Sequence, residues 1–254
     1  SSILGIEYKQ MLKLMKEKFA IDPVSLSKFF QKLSQIGIKN AKAHIKEAIN
    51  LLGNEIVRDM FEKSTGEFID KIKIFYNKSE NYIKIRDGLK DLLSLSEEEI
   101  NLIFANMDNG KLSYLLSYPD YIIESLKDMA SLFGIETIRN NFTYDSDRTY
   151  SVILVALKLK KIGIDTFNSL IDRIAKEIGI DRNEIIDGFK DMITKNPAGA
   201  WWTLEIMKNI GIDNLIKAMK DLSSIFGKNY IRKAIENYPD GLIQGIEIFI
   251  KIGK

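Results

Sequence analysis

Apolar residues recur every three or four positions along most of the chain, the spacing that places them on one face of an α-helix. The segment NLIKAMKDLSSIF shows the pattern, with one apolar stripe formed by Leu215, Ile216, Met219, Leu222 and Phe226. No segment alternates apolar and polar residues over a length that requires a β-strand. The pattern therefore predicts an all-α protein.

Two phrases recur along the chain and divide the predicted helices into similar units. The first places an Arg five residues after a Gly, and it occurs as LLGNEIVRDMF (51–61), LFGIETIRNNF (132–142) and IFGKNYIRKAI (225–235). The second occurs as QIGIKN (35–40), KIGID (161–165) and NIGIDN (209–214). Its Gly is suited to end one helix, and the Asp or Asn that follows is suited to begin the next.

The strongest internal match is gapless. Residues 4–77 lie on residues 178–251 at a constant offset of 174, with no insertion. The residues that punctuate helices coincide in this register: Gly5 lies on Gly179, Pro23 on Pro197, Gly37 on Gly211 and Gly53 on Gly227. Chance does not bring four such residues into register, so the match indicates a structural repeat.

Looser copies fill the middle of the chain, and the predicted units start near Gly5, Gly53, Ser96, Gly134, Gly179 and Gly227. The complete units are 38–48 residues long, and each is predicted to hold three helices. A unit of this size cannot bury its apolar faces alone, so neighbouring units must stack. We therefore expect a single helical-repeat domain over residues 1–254, an α-solenoid of about five three-helix repeats plus a partial terminal repeat.

In repeat length and helix count, the chain resembles the armadillo and HEAT helical-repeat superfamily. The segment LSEEEINLIF (95–104), followed by a helix that begins at a Pro, is also similar to the repeats of mitochondrial transcription termination factors. Both resemblances are architectural and cover the whole chain. They imply a stack of helical repeats.

Composition excludes several classes of catalytic and metal site. The chain has no Cys and a single His, His44. This removes thiolate metal sites, Cys nucleophiles, Ser–His–Asp triads and clusters of His ligands. The sequence also contains no Walker loop, GxGxxG or GxSxG motif. We therefore expect a protein that is not an enzyme, with no catalytic residue, no metal site and no cofactor.

Charge and hydropathy give little information about partners. The chain carries 37 basic and 35 acidic side chains, so its formal net charge is +2. Such a balance has no global signature of binding to nucleic acid or to a membrane. No run approaches the roughly 18 consecutive apolar residues of a membrane span. The lack of Cys and the abundance of Lys and Ile favour a cytoplasmic protein from a thermophile.

The repeated Arg forms one column of the repeat, at Arg58, Arg139 and Arg232. Guanidinium groups placed along a groove could bind phosphates or the carboxylates of an acidic peptide. In the alternative interpretation, which we favour, each Arg braces its own repeat by pairing with an acid or with helix carbonyls. Asn101 and Glu184 stand in the same column in other copies, which interrupts a continuous phosphate track.

Two further places are candidates for partner binding. Trp202 occupies a column that holds Lys28, Asp70 and Gln244 in other copies, whereas the neighbouring Trp201 falls in an apolar column. An aromatic residue in a polar column is typical of an interface anchor, although Trp202 could instead pack against the segment 179–197.

The second place is the turn NNFTYDSDRTY (140–150), which offers Tyr144, Arg148 and Tyr150 as an adaptable contact surface. The alternative for this segment is an ordinary polar turn that caps a helix beginning near Ser146.

These observations favour a non-enzymatic protein-protein interaction scaffold that binds a protein or peptide on one face of the solenoid. The alternative is a nucleic-acid-binding repeat protein that contacts phosphates through the Arg column. A third hypothesis, a repeat-based glycosylase, requires a carboxylate close to Trp202. The last unit stops at Lys254, where other copies begin their third helix. Either the natural chain continues there, or that end presents an apolar face suited to self-association.

Overall fold

The computed structural model describes residues 8–143 and 145–253. In this part of the chain it contains seventeen α-helices and no β-strand. The prediction of an all-α protein is therefore confirmed. None of the helices described there combines the length and the apolar character needed to cross a membrane.

The helices fall into two compact units. The helices of the first unit are α1 (Tyr8–Ile21), α2 (Pro23–Ile36), α3 (Ile38–Leu52), α4 (Asn54–Lys63), α5 (Phe68–Asn77), α6 (Ser79–Leu93), α7 (Glu97–Asn106) and α8 (Asn109–Leu115). An aromatic cluster occupies the core of this unit. The ring of Phe61 contacts Phe29 and Phe68 edge to face, with centroids 5.3 and 5.2 Å apart.

The helices of the second unit are α9 (Pro119–Phe133), α10 (Ile135–Arg139), α11 (Ser146–Ile162), α12 (Ile164–Ile178), α13 (Arg182–Lys195), α14 (Pro197–Ile210), α15 (Ile212–Phe226), α16 (Lys228–Asn237) and α17 (Pro239–Ile252). The unit includes α9 from Tyr121 and α11 from Asp147. It has its own aromatic core, in which Phe167 contacts Phe189 edge to face with centroids 5.3 Å apart.

Within each unit, several helices that are three positions apart in chain order pack against one another. In the first unit, α2 packs on α5, α5 on α8, α3 on α6 and α4 on α7. In the second unit, α10 packs on α13, α13 on α16, α12 on α15 and α14 on α17.

The offset of 174 found in the sequence reappears in the helix bounds. Helices α1 to α4 begin and end 174 residues before α13 to α16. The junctions also agree, because Gly37 and Gly211 have φ of 79° and 80°, a region that disfavours residues with a Cβ. Each of these Gly residues ends one helix and begins the next without a side-chain cap.

The second helix of each matched segment begins in the same way. Asp22 accepts a hydrogen bond from the backbone N–H of Ser25 at 3.0 Å. Its counterpart, Asn196, accepts one from Gly199 at 3.0 Å. Both caps precede a Pro at the first helical position, where the missing N–H costs nothing. The Asn196 cap thus fixes the start of α14, the helix that carries Trp201 and Trp202.

Candidate functional site

The two Trp residues lie side by side near the start of α14. Successive side chains of a helix project in directions about 100° apart, so two adjacent residues can differ in their exposure to solvent. Trp202 is 57% exposed, whereas Trp201 is only half-buried and not in the core where its column suggested. The two rings meet edge to face with centroids 5.0 Å apart. Trp202 is thus a solvent-facing aromatic supported by a second ring.

An ion pair between a buried lysine and a half-buried glutamate flanks the two rings. The ammonium group of Lys158, on α11, pairs with the carboxylate of Glu205, on α14. Lys158 is 8% exposed, and its Nζ lies 5.9 Å from the ring centroid of Trp201, within reach of a cation–π interaction. The lysine therefore links α11 to α14 through the ion pair and contacts the face of the Trp201 ring.

Two more ammonium groups surround this pair. Burial lowers the pKa of Lys158, and the positive charges of Lys208 and Lys161 lower it further. Both neighbouring lysines are exposed and stand in the last turns of α14 and α11. We call the six residues the Trp–Lys cluster: Trp201, Trp202, Lys158, Glu205, Lys161 and Lys208.

Sequence reasoning identified Trp202 but missed Lys158 and Glu205. The available signal was an isolated charge in the otherwise apolar segment VILVALKL (152–159) of α11. A charge in such a position is rarely buried without a partner of opposite sign. That signal could have singled out Lys158, but it could not have identified Glu205, which lies on another helix.

Arg148, predicted as a partner-binding residue, bridges several elements of the second unit. Its Nε donates a hydrogen bond to Oδ1 of Asn141 at 2.9 Å, and its Nη2 donates to the carbonyl of Thr194 near the end of α13. Arg148 and Tyr150 are both half-buried, and Tyr144 lies outside the described residues. The guanidinium group thus ties the start of α11 to α13.

The three Arg residues of the repeated column each lie beside a carboxylate. The ion pairs are Arg58 with Glu62 at 2.9 Å, Arg139 with Glu136 at 3.9 Å, and Arg232 with Glu184. Arg58 belongs to the first unit, and the other two belong to the second. Arg58 and Arg139 pair within their own helices, as the bracing interpretation expects, whereas Arg232 of α16 pairs with an acid of α13. Each carboxylate offsets part of the charge that a phosphate would need.

The column is occupied differently at Asn101, which is buried in the first unit. The hydroxyl of Tyr82 donates to its Oδ1, and its Nδ2 donates to the carbonyl of Leu52 at 3.4 Å. Burial raises the pKa of the Tyr82 hydroxyl, which keeps the donor proton in place. At this copy the column faces the protein interior and not a groove.

Large apolar side chains are exposed on the last three helices and at the junction between α16 and α17: Ile225, Phe226, Tyr230, Tyr238, Ile248 and Ile252. The offset of 174 gives a direct comparison with the first unit. Phe226 is 59% exposed, whereas its counterpart Leu52 is 3% exposed. In the first unit, α6 and α7 pack on α3, the helix that ends at Leu52.

Across residues 8–143 and 145–253, no group of three or more His, Cys, Asp or Glu side chains is arranged to hold a metal ion. Comparison of the chain with protein-family models, with curated proteins and with solved structures gives no match.

Proposed function

We propose that this chain is a non-enzymatic protein-protein interaction scaffold, an α-solenoid whose Trp–Lys cluster anchors a protein or peptide partner. The observation that carries the proposal is the exposure of Trp202. Its counterparts in the repeat, Lys28, Asp70 and Gln244, are polar residues that are exposed or half-buried. An exposed aromatic in a column that otherwise carries polar groups is the feature expected of an interface anchor.

The order of the helices supports the solenoid. Grouping α1 to α17 in threes gives five complete sets and a final pair, which is the count predicted from the repeat. After the first set, each set begins within three residues of a predicted unit start. The packing of helices three positions apart, seen within each unit, is what stacked three-helix repeats require.

The surroundings of Trp202 favour a binding role over catalysis. A glycosylase needs a carboxylate that is free to act at the reacting base. The carboxylate of Glu205 stands one turn from Trp201 and is engaged by Lys158. The paired carboxylate of Glu205 and the supported ring of Trp202 are therefore better suited to binding a ligand than to catalysis.

A peptide-display selection on the intact protein tests the proposal. A random peptide library is selected on the unmodified chain, and recovered peptides are measured against Trp202→Ala. Truncation of an anchor costs about 2 kcal/mol or more, so binding should weaken about 30-fold or more. Tyr118→Ala is the matched control, because Tyr118 is 54% exposed and lies in the first unit.

Three outcomes would count against the scaffold. Recovered peptides could bind Trp202→Ala as tightly as the unmodified chain, or the selection could yield no binder. Alternatively, labelled random DNA could bind with an affinity that falls by orders of magnitude between about 50 and 200 mM salt. That third result would favour the nucleic-acid alternative and make Arg58, Arg139 and Arg232 the next residues to mutate.

We also propose that a second copy of the chain can associate through α15 to α17. Supporting evidence is the contrast between Phe226 and Leu52, since equivalent positions in the first unit are covered by further helices of the same kind. Sedimentation velocity over a range of concentrations should show a reversible dimer or larger species. Phe226→Asp should abolish it, and a concentration-independent monomer would contradict the proposal.

A further inference from the structure

We infer that the partner segment bound at the Trp–Lys cluster is an acidic peptide, with an apolar side chain against Trp202 and carboxylates on Lys161 and Lys208. The inference rests on the proposed function and specifies the chemistry of the partner.

The cluster has an excess of positive charge. Three ammonium groups face one carboxylate, and that carboxylate is used by the buried Lys158. Among the described residues, neither Lys161 nor Lys208 has an ion-pair partner, whereas Lys195 on the neighbouring α13 pairs with Asp191 at 2.7 Å. Two exposed ammonium groups near Lys158 therefore remain available to an anionic ligand.

The cluster is also held in place before a ligand arrives. Lys158 is fixed by Glu205 and by the ring of Trp201, and that ring supports Trp202 from one side. A side chain that is already ordered loses little conformational entropy on binding. Trp202 therefore offers its surface at low cost, which suits an anchor for a flexible peptide.

The extent of the cluster favours a peptide over a nucleic acid. Its six residues lie on only two helices, α11 and α14. Sequence-independent binding of nucleic acid uses a row of cations that follows successive phosphates. The Arg column could have supplied such a row, but each of its three Arg residues is paired with a carboxylate.

Intrinsic fluorescence gives a specific readout of the cluster, because both Trp residues of the chain belong to it. The intact protein is titrated with poly-L-glutamate and, separately, with oligothymidylate at about 50 and 200 mM salt. We expect poly-L-glutamate to change the emission saturably and to bind severalfold more weakly at the higher salt.

The variant Lys161→Gln/Lys208→Gln should weaken binding of poly-L-glutamate tenfold or more. Lys176→Gln is the matched control, because Lys176 is exposed and stands, like the other two, in the last turn of its helix. Far-UV circular dichroism checks that the variants are folded. The inference is overturned if poly-L-glutamate leaves the emission unchanged, if the double variant binds like the control, or if oligothymidylate binds more tightly.

The peptide selection separates failure of this inference from failure of the proposed function. If the recovered peptides depend on Trp202 but are neutral or basic, the scaffold stands and the acidic partner is wrong. If their binding does not depend on Trp202, the proposed function itself fails. Acidic peptides that depend on Trp202 and on the two lysines support both.

Discussion

The close approach of α13 and α16 gives a quantitative test of the stacking in the second unit. Gly188 lies at the contact, and a Cβ added there would stand 2.7 Å from the carbonyl oxygen of Ile235. That oxygen belongs to the backbone and cannot rotate away, so Gly188→Ala must push the two helices apart. Forcing extra atoms into a packed contact costs about 1–3 kcal/mol.

A second helical Gly in the same unit supplies the control. A Cβ at Gly245, on α17, would meet nothing within 4 Å. Replacing Gly by Ala inside a helix is worth about 1 kcal/mol in propensity, and this gain applies to both positions. The gain therefore cancels in the comparison, and the difference between the two variants measures the collision at Gly188.

We expect Gly188→Ala to lower the free energy of unfolding by about 0–2 kcal/mol, which is the collision cost less the propensity gain. We expect Gly245→Ala to raise it by about 0.5–1 kcal/mol. Urea unfolding followed by far-UV circular dichroism measures both values, provided that the slopes of the transitions agree. If Gly188→Ala proves as stable as Gly245→Ala, α13 and α16 do not approach as closely as described and the stacking argument loses its support.

Three further predictions concern single residues. An NMR titration of His44, the only His of the chain, should give a pKa below the ordinary value of 6.5, because burial and then the charge of Lys73 lower it. Near this pH the unfolded chain binds more protons than the folded chain does, so the free energy of unfolding should fall as the pH drops below about 6.5. The fall should be smaller in His44→Gln when both proteins are followed by urea unfolding. Asn196→Ala should cost about 1 kcal/mol through loss of the N-cap on α14, measured by urea unfolding, and an unchanged midpoint would argue against that cap. Lys71 is buried with its Nζ 2.9 Å from the carbonyl of Ala105, so Lys71→Met should be neutral or stabilising in the same assay, and a loss above about 2 kcal/mol would refute this.

The sequence by itself determined the local structure of this protein. Helix periodicity, the Gly residues at junctions and the Pro residues at first turns predicted an all-α chain, which is confirmed. The offset of 174 indicated a structural repeat, and the helix bounds and the φ angles of Gly37 and Gly211 match at that offset. These features could be predicted because helix capping and apolar periodicity depend on residues within a few positions of one another.

Only the tertiary structure decided which side chains meet across helices. The repeat register put Trp201 in an apolar column, but the ring is half-buried and the ammonium group of Lys158, on another helix, lies over it. The same register could not reveal that Arg232 pairs with Glu184. Such pairs join residues that are distant in the chain, and their formation depends on how two helices pack. No local pattern of residues encodes that packing, so the Trp–Lys cluster emerges only when Lys158 of α11 meets Glu205 and Trp201 of α14.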